Sequence, residues 1–139
     1  CLYRQQIFLY RIFNIFAVIK MHQSKGDQFL LCTGFCPDSR LLTDKSLLKS
    51  VLKNLPQIIG MNAIREPIVS EAKNNPGLEG YVPIDASNIT ISTYTNNPRI
   101  VASVHSCNEF DYKKVIDYLK EKYDCSVKFL SLRESEFKD

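Results

Sequence analysis

A two-layer α/β sandwich, with a mostly antiparallel sheet carrying two helices on one face, is the fold class predicted by this 139-residue sequence. Three observations predict it. Two stretches repeat apolar residues at helical spacing, about six short segments are rich in β-branched residues, and their order along the chain is β-α-β-β-β-β-α-β. Each helix has one apolar face to bury and the sheet has one face to cover, so packing both helices on that face satisfies both.

The elements follow in order. Residues 28–36 (QFLLCTGFC) form an apolar run of strand length that Pro37, Asp38 and Ser39 end. A helix follows with Thr43 as its expected N-cap, Leu47, Leu48, Val51, Leu52 and Leu55 as its stripe, and Pro56 and Gly60 as its close. Residues 63–70 suggest a strand interrupted at Pro67, hence an edge or an irregular start. After the polar turn Lys73–Gly77 the period changes, and strands are expected over 81–85, 88–94 and 99–106, the last two joined by Thr95-Asn96-Asn97-Pro98. A second helix is expected from Asn108, with Asp111 in a variant capping box and Tyr112, Val115, Ile116, Leu119 and Tyr123 as its stripe. A strand over 126–132 completes the pattern.

Composition narrows the function classes. The net charge of +3 sits entirely in residues 1–20, where Arg4, Arg11 and Lys20 meet no acid, and from Met21 onward fifteen basic residues face fifteen acidic ones. A nucleic-acid-binding domain normally carries a basic excess, so that class is disfavoured. Residues 1–20 are too interrupted by Arg4, Arg11 and Asn14 for a transmembrane helix and lack a signal-peptidase site. The reading is that Met21 opens a single domain over 21–139 and that 1–20 is an upstream translated or disordered segment, a short membrane-surface anchor being the alternative. Five cysteines, Cys1, Cys32, Cys36, Cys107 and Cys125, do not look like a secreted disulfide framework, and no second pair completes a zinc site with Cys32 and Cys36. A reducing, cytoplasmic setting without metal, nucleic acid or membrane is expected. Gly-rich phosphate loops, nucleophile elbows and spaced histidines are absent.

One segment is more specific. Residues 77–107 read GLEGYVPIDASNITISTYTNNPRIVASVHSC. This resembles the small bacterial and archaeal S-adenosylmethionine decarboxylases, in which a G-L-x-G turn precedes a strand ending at a reactive serine and a later strand ends at a cysteine. Gly77-Leu78-Glu79-Gly80 matches the turn, and Ser87 and Cys107 stand twenty residues apart, as the family spaces them. The likeness runs from Leu41 to about Leu132. It implies an S-adenosylmethionine decarboxylase-like sandwich and a pyruvoyl cofactor made from Ser87: the hydroxyl attacks the preceding carbonyl, the amide becomes an ester, and elimination cuts the chain between Ala86 and Ser87. The resulting ketone serves as an electron sink for decarboxylation, with Cys107 as proton donor.

Several family positions differ. Ala86 replaces a glutamate, Ser92 the histidine that assists processing, Glu79 a serine, Asn88 a histidine, and Tyr94-Thr95-Asn96 a W-P-E whose glutamate holds the substrate ribose. Glu79 is therefore a candidate replacement base, Ser92 a residue to position water, and Tyr94 and Asn96 the substrate-binding candidates. His105 could tune the Cys107 thiol, though a plain hydrogen-bonded histidine explains it as well. Simple alternation puts Cys107 on the face opposite Ile100, Ala102 and Val104, and a bulge near Ser103 would reverse that.

The resemblance implies a decarboxylase of polyamine (spermidine) synthesis acting on S-adenosylmethionine or an amine such as arginine or ornithine, assembled as a homodimer or larger. The alternative is a non-cleaving paralogue that binds a small molecule or regulates an active decarboxylase.

Overall fold

A computed structural model describes residues 27–134, together with two strands nearer the start of the chain, β1 (Gln6–Tyr10) and β2 (Phe16–Lys20), which pair antiparallel as a separate ribbon. The remainder of the stretch read as upstream sequence, and the side chains of that ribbon, lie outside the described residues. The main sheet has six strands: β3 (Gln28–Phe35), β4 (Ile68–Glu71), β5 (Leu78–Ile84), β6 (Ser87–Tyr94), β7 (Arg99–Ser106) and β8 (Ser126–Glu134). Their spatial order is β4-β5-β6-β7-β3-β8, and every pairing is antiparallel.

Strict alternation of buried and exposed residues gives the sheet two unlike faces. Leu30 and Cys32, Leu78, Val82 and Ile84, Ile89 and Ile91, and Ile100, Ala102 and Val104 are all buried on the inner face. Over it lie α1 (Lys45–Ile58), which packs on β4, β5 and β6, and α2 (Tyr112–Tyr123), which packs on β3 and β8. Leu48, Val51, Leu52 and Leu55 from α1 and Val115, Leu119 and Tyr123 from α2 complete one core. Asn54 and Tyr118 tie the helices together through a 3.1 Å hydrogen bond. The outer face carries no helix among the described residues and exposes Phe29, Leu31, Phe35 and Tyr81.

Several element ends differ from the sequence reading. Asp44, not Thr43, caps α1: its Oδ1 accepts the Leu47 N–H at 2.9 Å, while Thr43 closes a short 3₁₀ turn over Leu41–Thr43. Pro56 lies inside α1 instead of ending it, and the chain leaves the helix at Gly60, whose φ of 74° suits glycine. Residues 63–67 form only a bridge between Ala63 and Ile84 before β4 begins at Ile68, because Pro67 donates no ladder hydrogen bond. Helix α2 starts after Asp111, which accepts the Lys113 N–H at 3.0 Å; residues 108–110 form a connecting bend, not its first turn. No register shift occurs in β7. The bulge sits in β8, opposite the step from Leu31 to Cys32.

Strand β5 begins at Leu78, three residues before the expected start, so only Gly77 of the G-L-E-G stretch precedes it, and both glycines of that stretch are explained by close approaches. A Cβ on Gly77 would collide with the backbone carbonyl of Thr93, and one on Gly80 would collide with Leu52 of α1. Thr93 itself is a buried polar clasp: its hydroxyl donates to the Leu42 carbonyl at 2.6 Å and accepts the Leu78 N–H at 2.8 Å. Strand β6, the start of β5 and the turn before α1 thus meet on one oxygen.

Three buried cysteines gather where β3 ends and β8 begins. The hydrogen bond between Cys36 and Cys125 pushes the Cys36 thiol well up and holds that of Cys125 below its ordinary value. Burial, with Cys125 beside it, pushes the Cys32 thiol up to about 11.

Three outcomes are expected. Asp44→Ala lowers unfolding free energy by about 1 kcal/mol in urea titration, while Thr43→Ala stays within about 0.5 kcal/mol. Thr93→Val leaves a buried N–H and a buried C=O without their partner and costs about 2 to 4 kcal/mol in the same assay. The Cys32 contribution to stability is fully present below pH 9, the ordinary thiol value, and is lost as pH rises toward 11. Cys32→Ala should flatten that part of the stability–pH curve.

Candidate active site at the β5–β6 turn

Strands β5 and β6 are joined by Asp85 and Ala86 alone, with Ile84 paired to Ser87. A two-residue connection needs a residue with left-handed backbone to match the strand twist. Ala86 takes that conformation, with φ of 55°. For a residue with a Cβ, such a backbone costs of order 1 to 3 kcal/mol, so strain is held directly beside the peptide bond that joins Ala86 to Ser87.

Ser87 is the first residue of β6 and, by alternation with Ile89, Ile91 and Thr93, turns its side chain to the buried inner face. Its Oγ accepts the backbone N–H of Cys107 at 3.1 Å. The structure therefore brings together Ser87 and Cys107, twenty residues apart, at one end of the sheet. Cys107 is buried just past the end of β7, and its sulfur is in disulfide linkage.

The loop that presents Cys107 is pinned on both sides. Ser106 Oγ accepts the Asn108 N–H at 2.9 Å and donates to the Asn108 carbonyl at 2.7 Å. Buried Gln28 grips the backbone of Phe110 twice, its Nε2 donating to the carbonyl at 3.0 Å and its Oε1 accepting the N–H at 3.2 Å. Sequence reasoning missed Gln28 and Ser106. A polar residue in an inward-facing register at each strand end was the signal that could have found them.

The remaining candidates lie elsewhere in the chain. Glu79 pairs with Ser92 across β5 and β6, and both stand on the outer face. They are five residues from the Ile84–Ser87 pair, about 17 Å along the strands. Glu79 is exposed and stands on the opposite face of the sheet from Ser87 Oγ, so this chain does not bring the two together. Tyr94 ends β6 with its ring under the Arg99 guanidinium, 4.0 Å from its centroid, and the Asn96 carbonyl accepts from the same Arg99 at 3.4 Å. Both are at the far end of β6, so one chain does not bring them to Ser87.

Beside the Asp85-Ala86 turn, a cleft of about 480 Å³ opens between α1 and residues 62–67, with Lys53, Gln57, Asn62 and Arg65 in its walls. The backbone of residues 62 to 64 hydrogen-bonds Asp85 and Pro83, holding the cleft wall against the turn. Among the described residues, no group of three or more His, Cys, Asp or Glu is arranged to hold a metal, and no helix is long and apolar enough to cross a membrane.

The family model for S-adenosylmethionine decarboxylase matches residues 32–130. The chain belongs to the S-adenosylmethionine decarboxylase family. The match spans β3 into β8 and so includes the strained turn, Ser87 and Cys107. No curated protein matches at a significant level.

Proposed function

We propose that this member of the S-adenosylmethionine decarboxylase family is a pyruvoyl-dependent decarboxylase that cuts itself between Ala86 and Ser87, acting on S-adenosylmethionine or a related amine in polyamine synthesis. The observation that carries the reading is the left-handed Ala86 directly before a buried serine. Opening that peptide bond releases backbone strain, which lowers the barrier to attack on its carbonyl.

The chain's own residues supply several parts of the chemistry. Ser87 provides the hydroxyl that attacks the Ala86 carbonyl, turning the amide into an ester. The Cys107 N–H, already directed at Ser87 Oγ, stabilises negative charge on that oxygen as its proton leaves. The pins from Gln28 and Ser106 hold this N–H in place. A pyruvoyl group at residue 87 would supply the electron sink for loss of CO2. Cys107 fits the proton-donor role in its reduced form, so reductant belongs in every assay. The cleft beside the turn is walled by Arg65 and by Lys53, whose Nζ is 3.7 Å from Glu66 Oε1, so Arg65 is its candidate contact for the carboxylate of a substrate. The outer face, which carries no helix among the described residues and exposes Phe29, Leu31 and Phe35, is the surface a homodimer would cover.

A second reading is favoured by one observation: Glu79 and Ser92, the candidates to assist Ser87, both stand on the opposite sheet face. A chain without a base at Ser87 Oγ would keep the fold uncut and serve as a small-molecule-binding or regulatory partner of an active decarboxylase.

Denatured intact mass of the full chain, purified with reductant beside a Ser87→Ala variant, separates the two readings. The expected outcome is two fragments divided before residue 87, the second lacking a free amine, and both absent from the variant. A single uncut chain overturns self-cleavage and leaves the binding reading. Native mass of the same sample reads the assembly, a monomer being the result that overturns the homodimer.

A further inference from the structure

Across from the residue after Ser87 stands a side-chain cluster that the family resemblance does not assign. His105 of β7 pairs directly with Asn88 of β6 and, on its other side, with Phe29 of β3. Its imidazole lies flat on the Phe29 ring, with centroids 4.5 Å apart and planes within 7°. Its Nε2 stands 3.4 Å from Asp27 Oδ1, and both side chains are only 27% exposed. Nε2 is buried and makes no hydrogen bond among the described residues. An aromatic stack fixes the ring plane, and a neighbouring carboxylate favours the tautomer with its proton on Nε2, which leaves the Nδ1 lone pair to act as a base.

The position of this cluster matters because self-cleavage needs two different proton transfers. The first takes the hydroxyl proton from the inner face, where Ser87 Oγ lies. The second takes the α-hydrogen of Ser87. In a strand, the Cβ of a residue occupies one face, so a base reaches the α-hydrogen from the neighbouring strand or the other face. His105 is on that other face, on the neighbouring strand, one register step from Ser87.

We propose that His105, oriented by Asp27 and Phe29, removes the α-proton of Ser87 in the elimination that cuts the chain. The inference rests on the self-cleavage reading above. The step balances without an oxidant or reductant. The Ser87 Cα–H bond breaks and its proton passes to imidazole. A double bond forms between Cα and Cβ, and the Cβ–Oγ bond breaks, releasing the Ala86 carboxylate. Water then replaces the nitrogen, leaving a keto group at residue 87 and one ammonia. Asp27 acts as a positioning residue.

The test follows the full chain, kept in reductant, for wild type, His105→Asn, Asp27→Asn and Ser87→Ala. Denatured intact mass is read over time with and without hydroxylamine, which splits an ester but leaves a peptide bond intact. His105→Asn is expected to slow cleavage about 100-fold, the scale of one lost proton-transfer group. Its uncut chain should split with hydroxylamine between residues 86 and 87, and added imidazole should restore part of the rate. Asp27→Asn should fall between this variant and wild type, and Ser87→Ala should resist hydroxylamine. A His105→Asn chain that cuts at the wild-type rate, or that accumulates no ester while folded by circular dichroism, overturns the inference and leaves self-cleavage standing. An uncut wild-type chain overturns self-cleavage and the inference with it.

Discussion

The two-residue connection at Asp85 and Ala86 is the constraint on which the rest of the site depends. Side chains alternate strictly along a strand, so a connection longer or shorter by one residue would turn every residue of β6 to the other face. With Ile84 paired to Ser87, the isoleucines of β6 meet the helices, and Ser87 enters the core beside Cys107. Asn88, Ser92 and Tyr94 face outward by the same rule. The backbone strain at Ala86 is the counterpart of this register, because a tight turn between twisted strands demands a left-handed residue.

The same end of the sheet is held by polar groups that take no part in the apolar core. Gln28 and Ser106 fill the backbone hydrogen bonds of the bend between β7 and α2, and a bend with satisfied groups can stay buried and ordered. That bend carries the Cys107 N–H to Ser87 Oγ. Thr93 does similar work at the opposite end of β6, where one hydroxyl joins two elements far apart in sequence. The hairpin is thus clamped at both ends, with the reactive serine at one of them.

The two faces of the sheet divide the chemistry. Ser87 Oγ and the Cys107 N–H belong to the dry side under the helices. His105, Asp27 and Phe29 belong to the outer side at the same strand end. A peptide bond at the rim of the sheet is reachable from both. Glu79 and Ser92 share a face with His105 but sit further along the strands, and a position in sequence near the reactive serine does not make them neighbours of it.

The sequence by itself determined the element order, the antiparallel sheet with two helices, and the spacing of Ser87 and Cys107, because hydrophobic period and turn composition are local properties of the chain. Strand periodicity identified β6 and β7 to within a residue, whereas β5 begins at Leu78, inside the stretch read as a turn, and only the structure shows the close approaches of Gly77 to Thr93 and of Gly80 to Leu52. Cap identity was harder to read: Thr43 and Asp44 are both good N-caps, and the choice went to the one whose carboxylate reaches Leu47, since a 3₁₀ turn absorbs Thr43. The faces and distances of the site were decided by tertiary structure. Glu79 looked close to Ser87 along the chain, but pairing across β5 and β6 sets it on the other face, and His105 comes near only because β7 lies beside β6. Such neighbours arise from the pairing of strands remote in sequence, and no local pattern of residues encodes them.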